Sequence, residues 1–370
     1  MEDLKCIGCG VRIQTEDKDR MGYTPQSSLA KVDDVAVSCQ RCFRLKNYNE
    51  IMDTEMTSDD FLKILQGVAD SDALVVNVID VFDSTGTFVT GLSRHIGGND
   101  VIVAANKIDL LPRSVNKGKV RHRLQKELSD AGLKPLDICV ISSQTGYGID
   151  DLMDTVERYR RGRDVYVVGC TNVGKSTFIN RLIRQFSSES GNVITTSYFP
   201  GTTLDVIEIP LDEKSSIIDT PGIINSHQLV HYIKSNEFKV ITPKKEIKPG
   251  VFQLNEEQTL FVGGLVRMDF VSGARTGFVT HFANDLKVHR TKMANADELW
   301  SKHAGGMLAP VIVDGDVLRG LKRNVYNVKN EKVDIVISGL GFITIPGRKQ
   351  EIHVHVPDGV GVFLRKSIFD

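Results

Sequence analysis

The chain is short of everything that would mark a secreted, membrane-bound or strongly charged protein. Its formal net charge is only -1 over 370 residues, so no global field steers it to nucleic acid or lipid. It has no apolar run long enough to span a bilayer. The opening "MEDLKC" lacks the basic and apolar regions of a secretory signal, and a cytoplasmic location is expected. Six cysteines in such a setting are too few, and too reduced, for a disulfide framework. No internal repeat or low-complexity tract interrupts the chain. A mild asymmetry remains. From Ile224 onward there are 20 Lys and Arg against 15 Asp and Glu, while the rest carries 26 against 32.

What is present divides the chain in three. Residues 1–50 hold "CIGC" and "CQRC" around a polar insert with few core formers. Residues 51–223 open on "TSDDFLKILQGVADSDA", a helix that Thr57 or Ser58 can cap. There follow the short apolar runs "ALVVNVID", "VIVAAN", "DICVIS" and "DVYVVG", with helical or loop segments between them. This alternation predicts a mostly parallel, doubly wound α/β sheet. "LDVIEI" and "SSIIDT", joined by a turn, predict an antiparallel hairpin at its edge. Residues 224–370 change texture to strand-like runs broken by the helical "NADELWSKHAG", a β-rich α+β domain.

Chemistry is concentrated in the middle third. "GCTNVGKS", Gly169 to Ser176, follows a predicted strand and precedes a helix, the context of a phosphate-binding loop. Gly169 and Gly174 let backbone amides approach phosphate oxygens, and the new helix adds its positive end. Lys175 reaches the outer phosphates and Ser176 is placed for Mg²⁺. "DTPG" ends a strand, so Asp219 can hold the same ion through water and the Gly222 amide can sense the terminal phosphate. In "PGTT", Thr203 is spaced to close over the metal.

The base is read elsewhere. "NKID" follows "VIVAA", so it stands at the carboxyl end of a strand, where open α/β sheets bind ligands. Asp109 can accept two hydrogen bonds from the edge of guanine, and adenine offers no such pair. Asn106 would brace neighbouring loops, and the Lys107 stem would lie along the base. "VISSQTG" supplies a backbone amide near Ser143 for the guanine carbonyl. These elements occur in an unusual order, with the base reader before the phosphate loop. Read circularly from Val165 to Gly222 and then from about Thr57 to Arg163, they restore the usual sequence of a G domain.

This order, with paired CxxC motifs at the amino end, resembles the YqeH family of circularly permuted bacterial GTPases. The resemblance implies a P-loop GTPase domain, a treble-clef or knuckle-like zinc module at 1–50 and a C-terminal domain that binds RNA or protein. It also implies GTP and GDP as ligands, and a role in assembly of the small ribosomal subunit on rRNA or precursor particles, with no membrane partner. By matching positions, Asn172, Val173, Gly174, Lys175, Ser176 and Thr177 belong to the phosphate loop. Asn106, Lys107, Asp109, Ser142 and Ser143 belong to the base site, and Thr203, Asp219 and Gly222 to the switches. The family includes plant and mitochondrial relatives once labelled nitric-oxide synthases. Many permuted GTPases carry Asp-Ala-Arg after the first strand, where this chain has "DVF" at Asp80 to Phe82.

Three further expectations follow. Ile223 occupies the place where Ras-like GTPases keep a water-orienting glutamine, so intrinsic hydrolysis should be slow. Asn172 resembles the asparagine of cation-dependent GTPases and can help hold K⁺ against the phosphates. Cys6, Cys9, Cys39 and Cys42 offer four thiolates for tetrahedral Zn²⁺, which would supply the stability the polar insert lacks. Lys175, Thr203 and Gly222 are then the catalytic set of a monomeric GTPase. A competing reading is an RNA-binding scaffold whose nucleotide site is structural. A redox enzyme making nitric oxide ranks last, because the chain has no dinucleotide fingerprint. In the final third, His281, His289, His353 and His355 form no defensible constellation, and Lys244, Lys245, Lys322 and Arg323 could meet RNA phosphates.

Overall fold

Seven short strands, most of them Val- or Ile-rich, pair into one sheet. They are β1 (Ala73–Asp80), β2 (Asp100–Asn106), β3 (Asp137–Val140), β4 (Asp164–Gly169), β5 (Thr195–Tyr198), β6 (Asp205–Pro210) and β7 (Ser216–Asp219). The computed structural model describes residues 12–16, 23–26, 40, 65–89, 91–189, 195–198, 205–233, 237–314, 317–318 and 320–369. Cys6, Cys9, Cys39, Cys42, Thr57, Ser58 and Thr203 lie outside the described residues.

The strand order is β3-β2-β1-β4-β7-β6-β5. From β3 to β7 every pairing is parallel, whereas β7–β6 and β6–β5 are antiparallel. All eight residues of β1 are buried, as a strand with neighbours on both sides and covered faces requires. The expected β6–β7 hairpin is present, but one strand in from the edge. β5 pairs with β6 and forms the edge, and its "TTSY" is too polar to announce itself as a strand.

Register sets the functional rim. Asp80 pairs with Asn106, Val78 with Gly169 and Val167 with Asp219, so the carboxyl ends of four parallel strands lie along one edge of the sheet, level in β1 and β2 and stepping back by two residues at β4 and two more at β7. Helices α2 (Ile149–Arg160) and α3 (Lys175–Glu189) bury Ile149, Leu152, Val156, Phe178, Ile179 and Leu182 in one core with β1, β2 and β4. Those positions follow a helical period, so one stripe faces inward. Cys170 is buried in this core, and the half-buried Cys139 packs against it.

The rest of the chain builds two five-stranded antiparallel sheets. One is ordered β12-β9-β10-β18-β15, from Val288–Lys292, Gln258–Val262, Val266–Gly273, Gln350–Pro357 and Leu321–Val328. The other is ordered β19-β16-β17-β11-β8, from Val362–Lys366, Val333–Ile337, Gly341–Ile345, Thr276–Phe282 and Gly250–Leu254. A two-residue pair, β13 (Val313–Asp314) with β14 (Val317–Leu318), stands apart. Leu260, Met268, Phe270, Phe278, Ile335, Ile343, Ile352 and Val354 join both sheets in one core. "NADELWSKHAG" becomes α4 (Ala296–His303), with Asp297 and Glu298 favourably placed in its first turn. The strands β12 and β15 carry polar residues through half their length or more, so their pairing comes from their neighbours and not from their own apolar content.

Residues divide into two compact units. The first comprises the described residues up to Asp80, Val89–Lys107 and Leu128–Ile224; the second comprises Val81–Phe88, Ile108–Glu127 and Asn225 onward. One division between the units falls between Ile224 and Asn225. The segments 81–88 and 108–127, however, pack with the second unit. Their apolar residues Phe82, Leu110, Leu111, Val120 and Leu124 are buried. Helix α1 (Lys117–Asp130) carries Val120 and Leu124. Among the described residues no helix is long and apolar enough to cross a membrane.

Candidate functional site

β4 runs into the loop 169–176, and α3 begins at Lys175. Gly169 is a close-approach position, where a Cβ would stand 2.6 Å from the Val78 carbonyl oxygen of β1. Gly174 is left-handed at φ 87°, and a Cβ there would meet Asn106 Nδ2 at 2.4 Å. Asn172 is also left-handed, at φ 63°, a conformation asparagine tolerates better than most residues. Val173 is fully buried, Ser176 and Thr177 are half-buried, and the Asn172 side chain is exposed.

The "DTPG" stretch runs beside this loop. Ile223 N donates to Gly169 O at 3.0 Å and Thr171 N donates to Ile223 O at 2.7 Å. Gly222 and Ile223 are therefore held next to the start of the loop. Lys175 is 6 % exposed, so its ammonium needs partners. It donates to Asp219 Oδ1 at 2.5 Å and to the Thr220 carbonyl.

The rim contributed by β1 and β2 is joined to the loop by side chains. Asn106 Nδ2 donates to Val173 O at 2.8 Å, and its Oδ1 accepts from Ser143 N at 2.8 Å. One amide thus clamps the phosphate loop and the "SSQ" loop together. Lys107, left-handed at φ 68°, donates from Nζ to Asp80 Oδ2 at 2.7 Å and to the Asn172 carbonyl. The Ser143 amide itself is engaged by Asn106. Ser142 accepts at Oγ from Thr145 N at 3.0 Å and so shapes the turn. Arg181 of α3 ties the same loop from below, through Ser143 O and Gln144 O at 2.7 Å each.

Asp80 was named from the sequence only as the start of "DVF", and Arg181 was not singled out. Asp80 could have been found as an acid ending a buried, Val-rich strand. Arg181 is one of several basic residues on its helix and carries no such signal.

Asp109 stands on the short turn Ile108–Leu110, two residues after Lys107. Its Oδ1 is buried with no hydrogen-bond partner among the described residues. Such an acceptor costs about 1–3 kcal/mol unless something donates to it. Ser143 Oγ and Thr171 Oγ1 are orphaned in the same way. A planar ligand offering N–H groups is the chemistry that the Asp109 oxygen lacks.

A strand–loop–helix phosphate cradle, a "DTPG" strand beside it and an "NKID" strand end on the same sheet define a P-loop GTPase. Residues 164–257 match the family model described as "50S ribosome-binding GTPase", and residues 275–368 match "YqeH-like, C-terminal". The chain is 51% identical over 369 residues to "Uncharacterized protein YqeH" of Bacillus subtilis (strain 168), covering 100% of both, and it belongs to the YqeH family. It is also 26% identical to "Putative nitric oxide synthase" of Oryza sativa subsp. japonica, covering 98% of this chain and 77% of that one. Among solved structures it is similar to GNP-bound YlqF from T. maritima, at 21% identity and TM-score 0.31, covering 48% of this chain and 70% of that chain. The chain binds guanine nucleotide and hydrolyses GTP.

Proposed function

We propose that the chain is a circularly permuted GTPase switch acting in assembly of the small ribosomal subunit. The observation that carries the nucleotide reading is the double role of Asn106. It ties a base-reading strand end to a phosphate loop that comes later in the chain, and this is the juxtaposition a permuted G domain needs. Asp109 reads guanine through its unpartnered carboxylate. The loop residues Asn172 to Thr177 surround the phosphates, and Gly222 senses the terminal one. Ile223 cannot orient water, so hydrolysis is slow without help.

Ser176 and Asp219, with Thr203, would hold Mg²⁺, which supplies positive charge at the phosphates; oxygen donors suit that hard ion. Lys175 would then exchange its pairing with Asp219 for phosphate oxygens. Asn172 would hold K⁺ in the same role, which turnover in K⁺ against Na⁺ buffer tests. Cys6, Cys9, Cys39 and Cys42 suit one Zn²⁺ per chain, which metal analysis tests. The matched description "50S ribosome-binding GTPase" supports a ribosomal partner in general. The assignment to the small subunit, to rRNA and to the cytoplasm rests on the family resemblance, as does a monomeric state. Stimulation of turnover by small subunits separates this switch from an RNA scaffold with a structural nucleotide.

Asp109→Asn tests the base reading. An amide presents an N–H where the carboxylate accepted, so preference should move from GTP to XTP, whose ring carries a carbonyl in place of the amine. The expected change in the affinity ratio is at least about a hundredfold, two hydrogen bonds being altered. Unchanged preference in direct nucleotide titration overturns it.

A further inference from the structure

The segment that bears Asp109 is built into the second unit. Next to Asp109, the Leu110 carbonyl accepts from Ile247 N at 2.9 Å. Arg113 follows, with its backbone N donating to Glu246 Oε1 at 2.9 Å and its Nε 3.1 Å from Oε2. Further along, α1 buries Arg123, whose Nε lies 3.1 Å from Glu127 Oε1 in an ion pair that is not a hydrogen bond. Arg123 Nη2 donates to Val81 O at 3.4 Å.

From there a buried polar chain leads to the last strand. Glu127 Oε2 accepts from Ser84 Oγ at 2.8 Å, and Ser84 Oγ accepts from Arg365 Nη1 at 3.2 Å. Arg365 lies over the Phe342 ring at 4.7 Å and faces Asp334 Oδ2 at 3.4 Å. Asp334 accepts from Thr344 Oγ1 at 2.7 Å. Ser84 and Asp334 are fully buried, and the Arg365 side chain is 3 % exposed. The segment 81–88 is pinned independently, because Asp83 Oδ2 accepts from Gly339 N at 2.7 Å and from Ser338 Oγ at 3.2 Å. Burial, and then the neighbouring Arg365, lower Arg123 to about 10, against the pull of Glu127 and Asp334. Two guanidinium groups are thus held in one buried interior by two carboxylates, a serine hydroxyl and the carbonyls of Val81 and Phe82.

We propose that Ser84 and Arg365 are positioning residues for guanine recognition: they fix the segment 108–127 and with it the carboxylate of Asp109. The proposal rests on the reading of Asp109 as the guanine acceptor. A hydrogen bond to a charged group weakens steeply with misalignment, so a small slip of this segment removes base discrimination and leaves phosphate binding in place. Residues at the far end of the chain thereby set the specificity of a site whose sequence motif ends at Asp109.

The test titrates GTP and ITP against the full-length protein and its Ser84→Ala and Arg365→Gln variants. ITP lacks the 2-amino group and keeps the ring N–H and the phosphates, so the GTP:ITP affinity ratio reads the hydrogen bond that this amine gives to Asp109. Both variants should narrow that ratio, Arg365→Gln by about tenfold, with KM for GTP raised and kcat unchanged. Ser84→Ala removes one oxygen from a fully buried site and keeps the fold, so it decides the matter if Arg365→Gln does not accumulate folded. Equal losses for GTP and ITP, or no loss, overturn the proposal. Asp109→Asn, run beside them, separates the failures. If it switches preference to XTP while the two variants are silent, only the positioning falls; if it does not switch, the reading of Asp109 falls and takes the positioning with it.

Discussion

His281 of β11 illustrates how much a single residue can hide. It is 2 % exposed, neither ring nitrogen has a hydrogen-bond partner among the described residues, and its ring packs near-parallel to Phe342 at 4.4 Å and to Phe369 at 4.6 Å, two rings that are themselves 6.1 Å apart. Burial lowers it to about 4; Asp334 opposes that shift and Arg365 adds to it. An unfolded histidine titrates near about 6.5, so on acidification the unfolded chain takes the proton first. Stability is therefore complete above about pH 6.5 and falls as the pH drops toward 4, by about 2 kcal/mol at pH 5. His281→Phe keeps a ring in the stack and removes the titration. Urea midpoints measured at pH 7 and pH 5 should fall less in this variant than in the parent, and an equal fall contradicts the assignment. In the sequence, "GFVTHFA" offers one histidine among strand residues, and nothing there reveals that Phe342 and Phe369 will flank it. Asn106 is the opposite case. A polar residue closing an apolar strand run, followed by lysine and aspartate, announces both its place and its chemistry. The place of Asp109, just past that strand end, was legible for the same reason. Ser143 was only partly so, because the engagement of its amide depends on Asn106 reaching it across the sheet.

At the scale of elements, legibility follows burial on both faces. β1, β2 and β4 are continuous apolar runs because helices and neighbours cover them, and the sequence shows each within a residue or two. β5, β8, β12 and β15 lie at sheet edges, and "TTSY", "GVFQL", "VHRTK" and "LKRNVYNV" give no comparable signal. The phosphate loop is legible because its backbone admits few residues. Gly174→Ala tests that constraint. The new methyl would be forced into a left-handed backbone and against Asn106 Nδ2, at a cost of about 1–3 kcal/mol in strain alone. GTP affinity should fall by at least about tenfold as the Asn106 clamp is displaced. Gly98→Ala provides the control, since its Cβ meets nothing within 4 Å and stability should change by no more than about 0.5 kcal/mol. Nucleotide titration and thermal melting of the two variants decide it, and similar behaviour would mean the loop tolerates a side chain at Gly174.

The whole molecule is less separable than its sequence suggests. A change of texture near Ile224 invites a cut there, but the second unit takes in 81–88 and 108–127 as well as Asn225 onward. A fragment of residues 225–370 would lack the Phe82 ring, 5.3 Å from Phe342, and the Leu110 carbonyl that receives Ile247 N. It would leave Gly339 N and Asn225 Nδ2 without Asp83 Oδ2 and Gly86 O, and Arg365 with Asp334 as its remaining ion-pair partner. Each buried polar group so stranded costs about 1–3 kcal/mol, and a domain has only about 5–15 kcal/mol in reserve. Residues 225–370 alone should therefore fail to reach a unique packed state, with poorly dispersed amide resonances and no cooperative melt, while the full chain shows both. If the fragment instead melts cooperatively within a few degrees of the corresponding transition in the full chain, then 81–88 and 108–127 are passengers on the second unit. If it is disordered alone and regains dispersion when residues 51–224 are supplied in trans, those two segments are structural parts of it. The physical reason lies in the order of the chain, which visits the second unit directly after Asp80 and again directly after Lys107, so that one buried interior is assembled from stretches on both sides of the phosphate loop.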